Sequence, residues 1–111
     1  MVKKMSVSSI KINIGKQFSR FPAGRYIADG PGSGEQFREQ ILIPALRSSG
    51  VVEIELDDAL GYGSSFLEEA FGGVVRGGSF GAKDLHAKLC LLSEDDSLVR
   101  EVWEYIDEAA R

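Results

Sequence analysis

The chain has 111 residues, 43% hydrophobic and 27% charged, which suits a single domain over residues 1–111 and leaves no room for a second core. Cys90 and His86 are the only cysteine and histidine, which excludes an intramolecular disulfide and a histidine/cysteine metal cluster; no metal or cofactor is expected. The net charge of −4 argues against broad nucleic-acid affinity, yet Lys3, Lys4, Lys11, Lys16, Arg20 and Arg25 meet no acid in residues 1–28, whereas 7 basic and 17 acidic residues follow from Asp29 onward.

No apolar run approaches the ~18 to 20 residues of a membrane span, and Met1-Val2-Lys3-Lys4 is not followed by a secretory apolar stretch. A cytoplasmic protein is expected. In chain order, Ile10, Ile12 and Ile14 alternate with Lys11 and Asn13, which predicts a first strand with one buried face, broken at Gly15. Between Gln17 and Ala28, Phe18, Phe21, Pro22, Gly24 and Tyr26 predict a turn at Pro22-Ala23-Gly24 leading into a short returning strand.

Asp29-Gly30-Pro31-Gly32-Ser33-Gly34 is too glycine-rich to be regular, and Ser33 with Gln36 three residues on forms a capping box that opens a helix. Phe37, Ile41 and Ala45 lie on its buried stripe with Leu42 and Leu46 beside them. Pro44 lacks a backbone donor, so a kink or irregular turn is expected near residues 40–44. Ser48-Ser49-Gly50 ends the helix. In the strand Val51 to Asp58, Val52, Ile54 and Leu56 point one way and Glu53 and Glu55 the other, so the helices should cover only the aliphatic face.

Gly61-Tyr62-Gly63 then delivers Ser64 and Ser65 to the first turn of a second helix that buries Leu67, Ala70, Phe71 and Val74. Gly72 and Gly73 weaken it and point to close backbone packing. Residues 76–84 read as loop and Leu85 to Leu92 as a further strand. Asp95 or Asp96 caps a last helix with Leu98, Val102, Ile106 and Ala109 inward.

The chemistry concentrates where the strand Val51 to Asp58 runs into the Ser64-Ser65 helix, because open α/β sheets usually carry function at such edges. Ser65 with Glu68 makes a capping box, which leaves Ser64 free for a phosphate or a partner. Gly32-Ser33-Gly34 is a second, anion-binding candidate at a helix start. Glu35 replaces the lysine that a nucleotide loop needs, however. Asp57 and Asp58 end their strand beside the serine turn, but no base, nucleophile or oxyanion set assembles around them, so no catalytic residue is assigned. They make that edge acidic, favouring a basic partner. His86 and Cys90, four apart on the expected strand Leu85 to Leu92, would lie about 13 Å apart and form no dyad. Trp103 and Tyr105 read as packing residues of the last helix.

Gly24-Arg25-Tyr26, Asp29-Gly30-Pro31, Ser33-Gly34-Glu35, Phe37-Arg38-Glu39, Pro44 and, most specifically, Ser64-Ser65-Phe66-Leu67-Glu68-Glu69-Ala70-Phe71-Gly72-Gly73 resemble the STAS-like domain family of unknown function. The likeness covers roughly residues 5–108. That family is similar to the STAS domains of bacterial anti-sigma factor antagonists. The resemblance implies a small open four-stranded mixed sheet with helices mainly on one face, used to dock partner proteins. In the antagonists a serine at the start of the second helix is phosphorylated by a kinase-type ATPase, and Ser64 falls at that position, with Gly63 where the antagonists carry aspartate.

The sequence therefore points to a non-catalytic interaction or regulatory module of bacterial signalling. Ser64 and Ser65 are switch candidates, and Asp57, Asp58, Tyr62, Ser64, Phe66, Glu68 and Glu69 are interface candidates. A small-ligand or nucleotide sensor using the helix starts is the alternative. Nucleic-acid binding by the basic first quarter, with Phe18, Phe21 and Tyr26 as stacking groups, is the poorer one, and homo-oligomerisation stays open.

Overall fold

A computed structural model of the chain describes residues 8–111. The alternating isoleucines form β1 (Ser9–Asn13), which pairs with β2 (Val51–Glu55), and β2 pairs in turn with β3 (Leu89–Leu92). Both pairings are parallel and the strand order is β1-β2-β3. The register places Val52 between Ile10 and Leu89, and Ile54 between Ile12 and Leu91. One face is thereby aliphatic. Lys11, Glu53 and Cys90 form a row on the other face, with Asn13, Glu55 and Leu92 beside it, and each of these is exposed or half-buried. The helices pack on the aliphatic face, as the alternation of β2 requires.

The expected four-stranded mixed sheet is corrected to three parallel strands among the described residues. The returning strand does not form because its backbone groups bond elsewhere. Phe18 and Ser19 N–H both donate to Ile14 O, closing the short α1 (Ile14–Gln17). Further on, Ala23 N donates to Gly32 O, Gly34 N to Gly24 O and Glu35 N to Arg25 O. Residues 23–25 thus lie along the loop that precedes the next helix, and a 3-10 turn, Ile27–Asp29, follows.

Two long helices share an unusual build. The first, α2, runs through Gly34–Phe37, a π-helical turn Arg38–Leu42 and Ile43–Ser48. Pro44, near the start of the last segment, explains the irregularity: it cannot donate to the turn below, and the widened turn accommodates the lost bond. The second, α3, runs through Ser64–Leu67, a π-helical turn Glu68–Gly72 and Gly73–Arg76. Their inward faces meet through Phe37, Phe66 and Phe71, whose rings lie 6.0–6.1 Å from Phe37, while Phe18 sits edge-on to Phe37 at 5.3 Å. All but Phe18 are fully buried. Such offset and edge contacts are the favoured geometry of aromatic clusters.

The segment expected as a strand from Leu85 is instead split. Gly81 N donates to Asp84 Oδ2 at 2.8 Å, which starts α4 (Ala82–Lys88) before β3 begins at Leu89. Leu85 and Leu89, four apart, satisfy either reading, and the cap decides. The last helix, α5 (Asp96–Ala109), is capped by Asp95, which accepts from Ser97 N and Leu98 N. Val102 and Ile106 are fully buried. Gly72 lets α3 approach α5, since a Cβ there would lie 3.1 Å from Tyr105 O. Among the described residues no helix is long and apolar enough to cross a membrane.

Candidate functional site at the carboxyl edge of the sheet

The carboxyl ends of three parallel strands converge at one edge, the position where open α/β sheets bind ligands. There Asn13 does two jobs: its Oδ1 accepts from Lys16 N at 3.0 Å, capping α1, and its amide donates to Asp58 Oδ2 at 2.5 Å. Lys16 Nζ lies 3.8 Å from the same carboxylate. Asp57 reaches the other way, accepting from Ser93 Oγ at 2.6 Å and Glu94 N at 2.8 Å. Tyr62 is half-buried and its hydroxyl donates to Leu56 O at 2.6 Å; burial, then the carboxylates of Asp57, Glu55 and Asp58, push this phenol well above its ordinary value. A side chain on Gly15 would collide with the Asp58 carbonyl. The two aspartates therefore staple neighbouring loops together and pin residues 57–62 in place.

The serine turn differs from its sequence reading. Gly63 occupies the N-cap, since Leu67 N closes the first turn on Gly63 O at 3.1 Å, and, being glycine, it offers no side-chain bond. The Ser65–Glu68 capping box is thus absent: the helix starts two residues before that box would need it to. Ser64 and Ser65 are both exposed and both remain spare.

Phe66, expected at the interface, is fully buried and packs 6.1 Å from Phe18 and 6.0 Å from Tyr62. Glu68 and Glu69 also turn inward. Glu69, 6% exposed, accepts from Arg38 Nη1 at 2.7 Å, Arg25 Nη1 at 3.0 Å and Arg76 Nη2 at 3.2 Å. Glu68 binds Arg25 and accepts from Arg76 Nη1 at 2.6 Å. Burial alone would raise the Glu68 carboxyl, but the bonds from Arg76 and Arg25 outweigh it and hold the group below its ordinary value. Three arginines face two carboxylates here. The π-helical turn has a part in this: Gly73 N bonds to Glu68 O, and Arg38 Nη1 donates to Glu69 O at 2.7 Å. Arg38 so joins α2 to a backbone carbonyl within the wide turn of α3.

The Gly32-Ser33-Gly34 loop is buried. Gly32 N donates to Gln36 Oε1, Gly34 N to Gly24 O, Glu35 N to Arg25 O and Gln36 N to Ser33 Oγ. These four donors point into the protein, and Gly34 lies so close to α3 that a Cβ would stand 2.6 Å from Phe66 O. The capping role expected of Ser33 is met, while an anion would find these groups engaged.

Comparison with protein families matches residues 33–97, more than half of the chain, to a family described as a STAS-like domain of unknown function. The chain belongs to this family. No curated protein and no solved structure gave a significant match. The matched span runs from the Ser33 cap to the first turn of α5, so it holds both π-helical turns and the Arg38, Glu68, Glu69 and Arg76 parts of the ion network.

The STAS-like domain also carries features that its periodicity did not reveal. Phe21 and Leu60 are 70% and 64% exposed, and with Pro22, Ala23, Gly61, Tyr62 and Gly63 they line an open groove of about 320 Å³. Beside it, Gly15, Lys16, Phe18, Ser19, Arg20 and Asp58 line a cleft of about 470 Å³. Leu60 N donates to Arg20 O at 2.8 Å, tying the two together. The signal in the sequence was an apolar residue without period in each of two polar loops. Among the described residues of the basic first quarter, Lys16 and Arg20 line one cleft, whereas Lys11 lies on the bare sheet face, Arg25 is engaged by Glu68 and Glu69, and Phe18 packs in the aromatic cluster. Lys3 and Lys4 lie outside the described residues. His86, on α4 rather than a strand, stacks on Trp103 with ring centres 4.3 Å apart and holds Asp107 at 2.7 Å. Cys90 is exposed on the sheet.

Proposed function

We propose that this STAS-like domain is a non-catalytic interaction and regulatory module whose partner docks along the carboxyl edge beside Ser64. A kinase-type ATPase is the partner, phosphate on Ser64 is the switch, and bacterial cytoplasmic signalling is the setting. The observation that carries the reading is the contrast within one motif: its apolar and acidic members are engaged in the fold, whereas Ser64 and Ser65 are exposed and directly follow Gly63, which lines a groove together with exposed Leu60. A phosphate at Ser64 would stand at a helix start, where free N–H groups and the dipole favour it by about 0.3–1 kcal/mol. Glu68 and Glu69 oppose it little, because Arg25, Arg38 and Arg76 already balance them.

Affinity capture with the full chain, followed by phosphosite mapping, tests partner and switch together. Phosphate on Ser64 and reduced capture by Ser64→Asp, but not by Ser65→Ala, are expected, since added charge would repel and desolvate the docked face. Capture indifferent to Ser64→Asp, with neither serine phosphorylated, would sink the reading. A second reading, small-ligand sensing, draws support from the cleft around Lys16 and Arg20; a rise in melting temperature with anionic metabolites in the absence of any protein partner would favour it.

A further inference from the structure

We infer that the carboxyl edge holds a groove for a partner segment presenting an apolar side chain next to carboxylates, the opposite charge to that expected from Asp57 and Asp58 alone. The inference rests on the docking role proposed above and gives the partner its chemistry. Asp57 and Asp58 keep their charge, but their oxygens are engaged within the fold, Asp57 by Ser93 Oγ and Glu94 N–H, and Asp58 by Asn13 and the Lys16 ammonium. The cleft next to the groove is lined by two cations, Lys16 and Arg20, against the single carboxylate of Asp58, which leaves one positive charge in excess. Lys16 is 74% exposed at its side chain, and Arg20 is exposed and has no ion-pair partner among the described residues.

The groove and the cationic cleft are one feature. Arg20 and Phe21 are consecutive, Asp58 and Leu60 flank Ala59, and the Leu60 N to Arg20 O bond holds the two loops side by side. Phe21 and Leu60 are the two most exposed large apolar side chains described, and both line this groove. An occupant that seats an apolar side chain between Phe21 and Leu60 brings its flanking residues over Lys16 and Arg20, where carboxylates are the complementary groups. Phosphate on Ser64, the residue after Gly63 of the groove lining, would repel the same acidic segment. The charge assignment and the switch therefore agree in sign.

A displayed library of random peptides, selected against the full chain, is the test. The expected winners carry a large apolar residue adjacent to aspartate or glutamate. Fluorescence anisotropy with one winner should show binding weakened about tenfold or more by Phe21→Ser and by Leu60→Ser, and by a similar factor by Lys16→Glu with Arg20→Glu, with the salt dependence of the parent kept in the two serine variants and lost in the charge-reversed one. These side chains are exposed, so unchanged circular-dichroism melting separates lost binding from lost folding. Selection of basic peptides, no selection at all, or binding that ignores the four substitutions overturns the inference. So does binding by acidity alone that inorganic phosphate displaces, which would assign the cleft to a free anion. None of these outcomes touches the docking role itself, which is judged by the Ser64→Asp capture experiment.

Discussion

The domain has two serine-headed helices with the same plan, and they use their serines oppositely. α2 and α3 each open on Ser and Gly, each widens into a π-helical turn after its first four residues, and each buries phenylalanine toward the other. Yet Ser33 is fully buried and accepts from Gln36 N at 3.1 Å, whereas Ser64 is exposed behind a glycine cap. The difference comes from what lies on each helix start. That of α2 is pressed against Phe66 and Ala70 of α3 through Gly34, while that of α3 opens on the sheet edge. A hydroxyl closed inside a contact serves the fold, and one left at an edge is available to a partner.

The comparison breaks most severely at the charge that joins the two helices. Glu69→Ala takes the buried carboxylate from the largely buried Arg38, while Arg25 and Arg76 keep Glu68, and is expected to cost about 3–5 kcal/mol, read from the urea midpoint. Next in size, Gly34→Ala places a Cβ 2.6 Å from Phe66 O and 2.9 Å from Ala70 N, forcing the helix starts apart for about 1–3 kcal/mol. Ser33→Ala removes a buried cap and is expected to cost about 1–2 kcal/mol, whereas Ser64→Ala and Ser65→Ala should stay within about 0.5 kcal/mol of the parent. Equal losses at Ser33 and Ser64 would erase the distinction. Acid sharpens it further: the folded Glu68 carboxyl lies below its value of 4.5 in the unfolded chain, so its stabilisation is complete above that pH and fades as pH falls through the lower folded value. Arg76→Gln should flatten that part of a melting-temperature profile against pH.

Period alone located β1, β2 and the three long helices, because each carries one clean apolar face. Pro44 likewise announced the irregular turn of α2. The α4–β3 boundary was obscured because Leu85 and Leu89 fit two periods at once, and the bond from Gly81 N to Asp84 marks where the helix starts. At the site, the family motif was conspicuous but its division of labour was hidden. Glu68 and Glu69 look like a solvated first turn until Arg25 and Arg38, distant in the chain, arrive from other elements. Ser65 looked like a cap until the first turn closed on Gly63. Long-range partners decided the glutamates and the choice of helix start decided the serine, and spacing along one helix carries no trace of either.

The parallel order of the sheet bears on how the chain is made. Ser9 pairs with Val51 and Val52 with Leu89, so each strand waits for about forty further residues before it finds its neighbour, a non-local closure that slows folding. On a ribosome, β1 would emerge with its isoleucines uncovered long before β2 exists. The α2–α3 pair, linked through β2 and knitted by aromatic rings and the arginine–glutamate cluster, is the first unit able to close on itself. β1 and β3 would then add to a platform already formed, and the edge that carries Ser64 would be completed last.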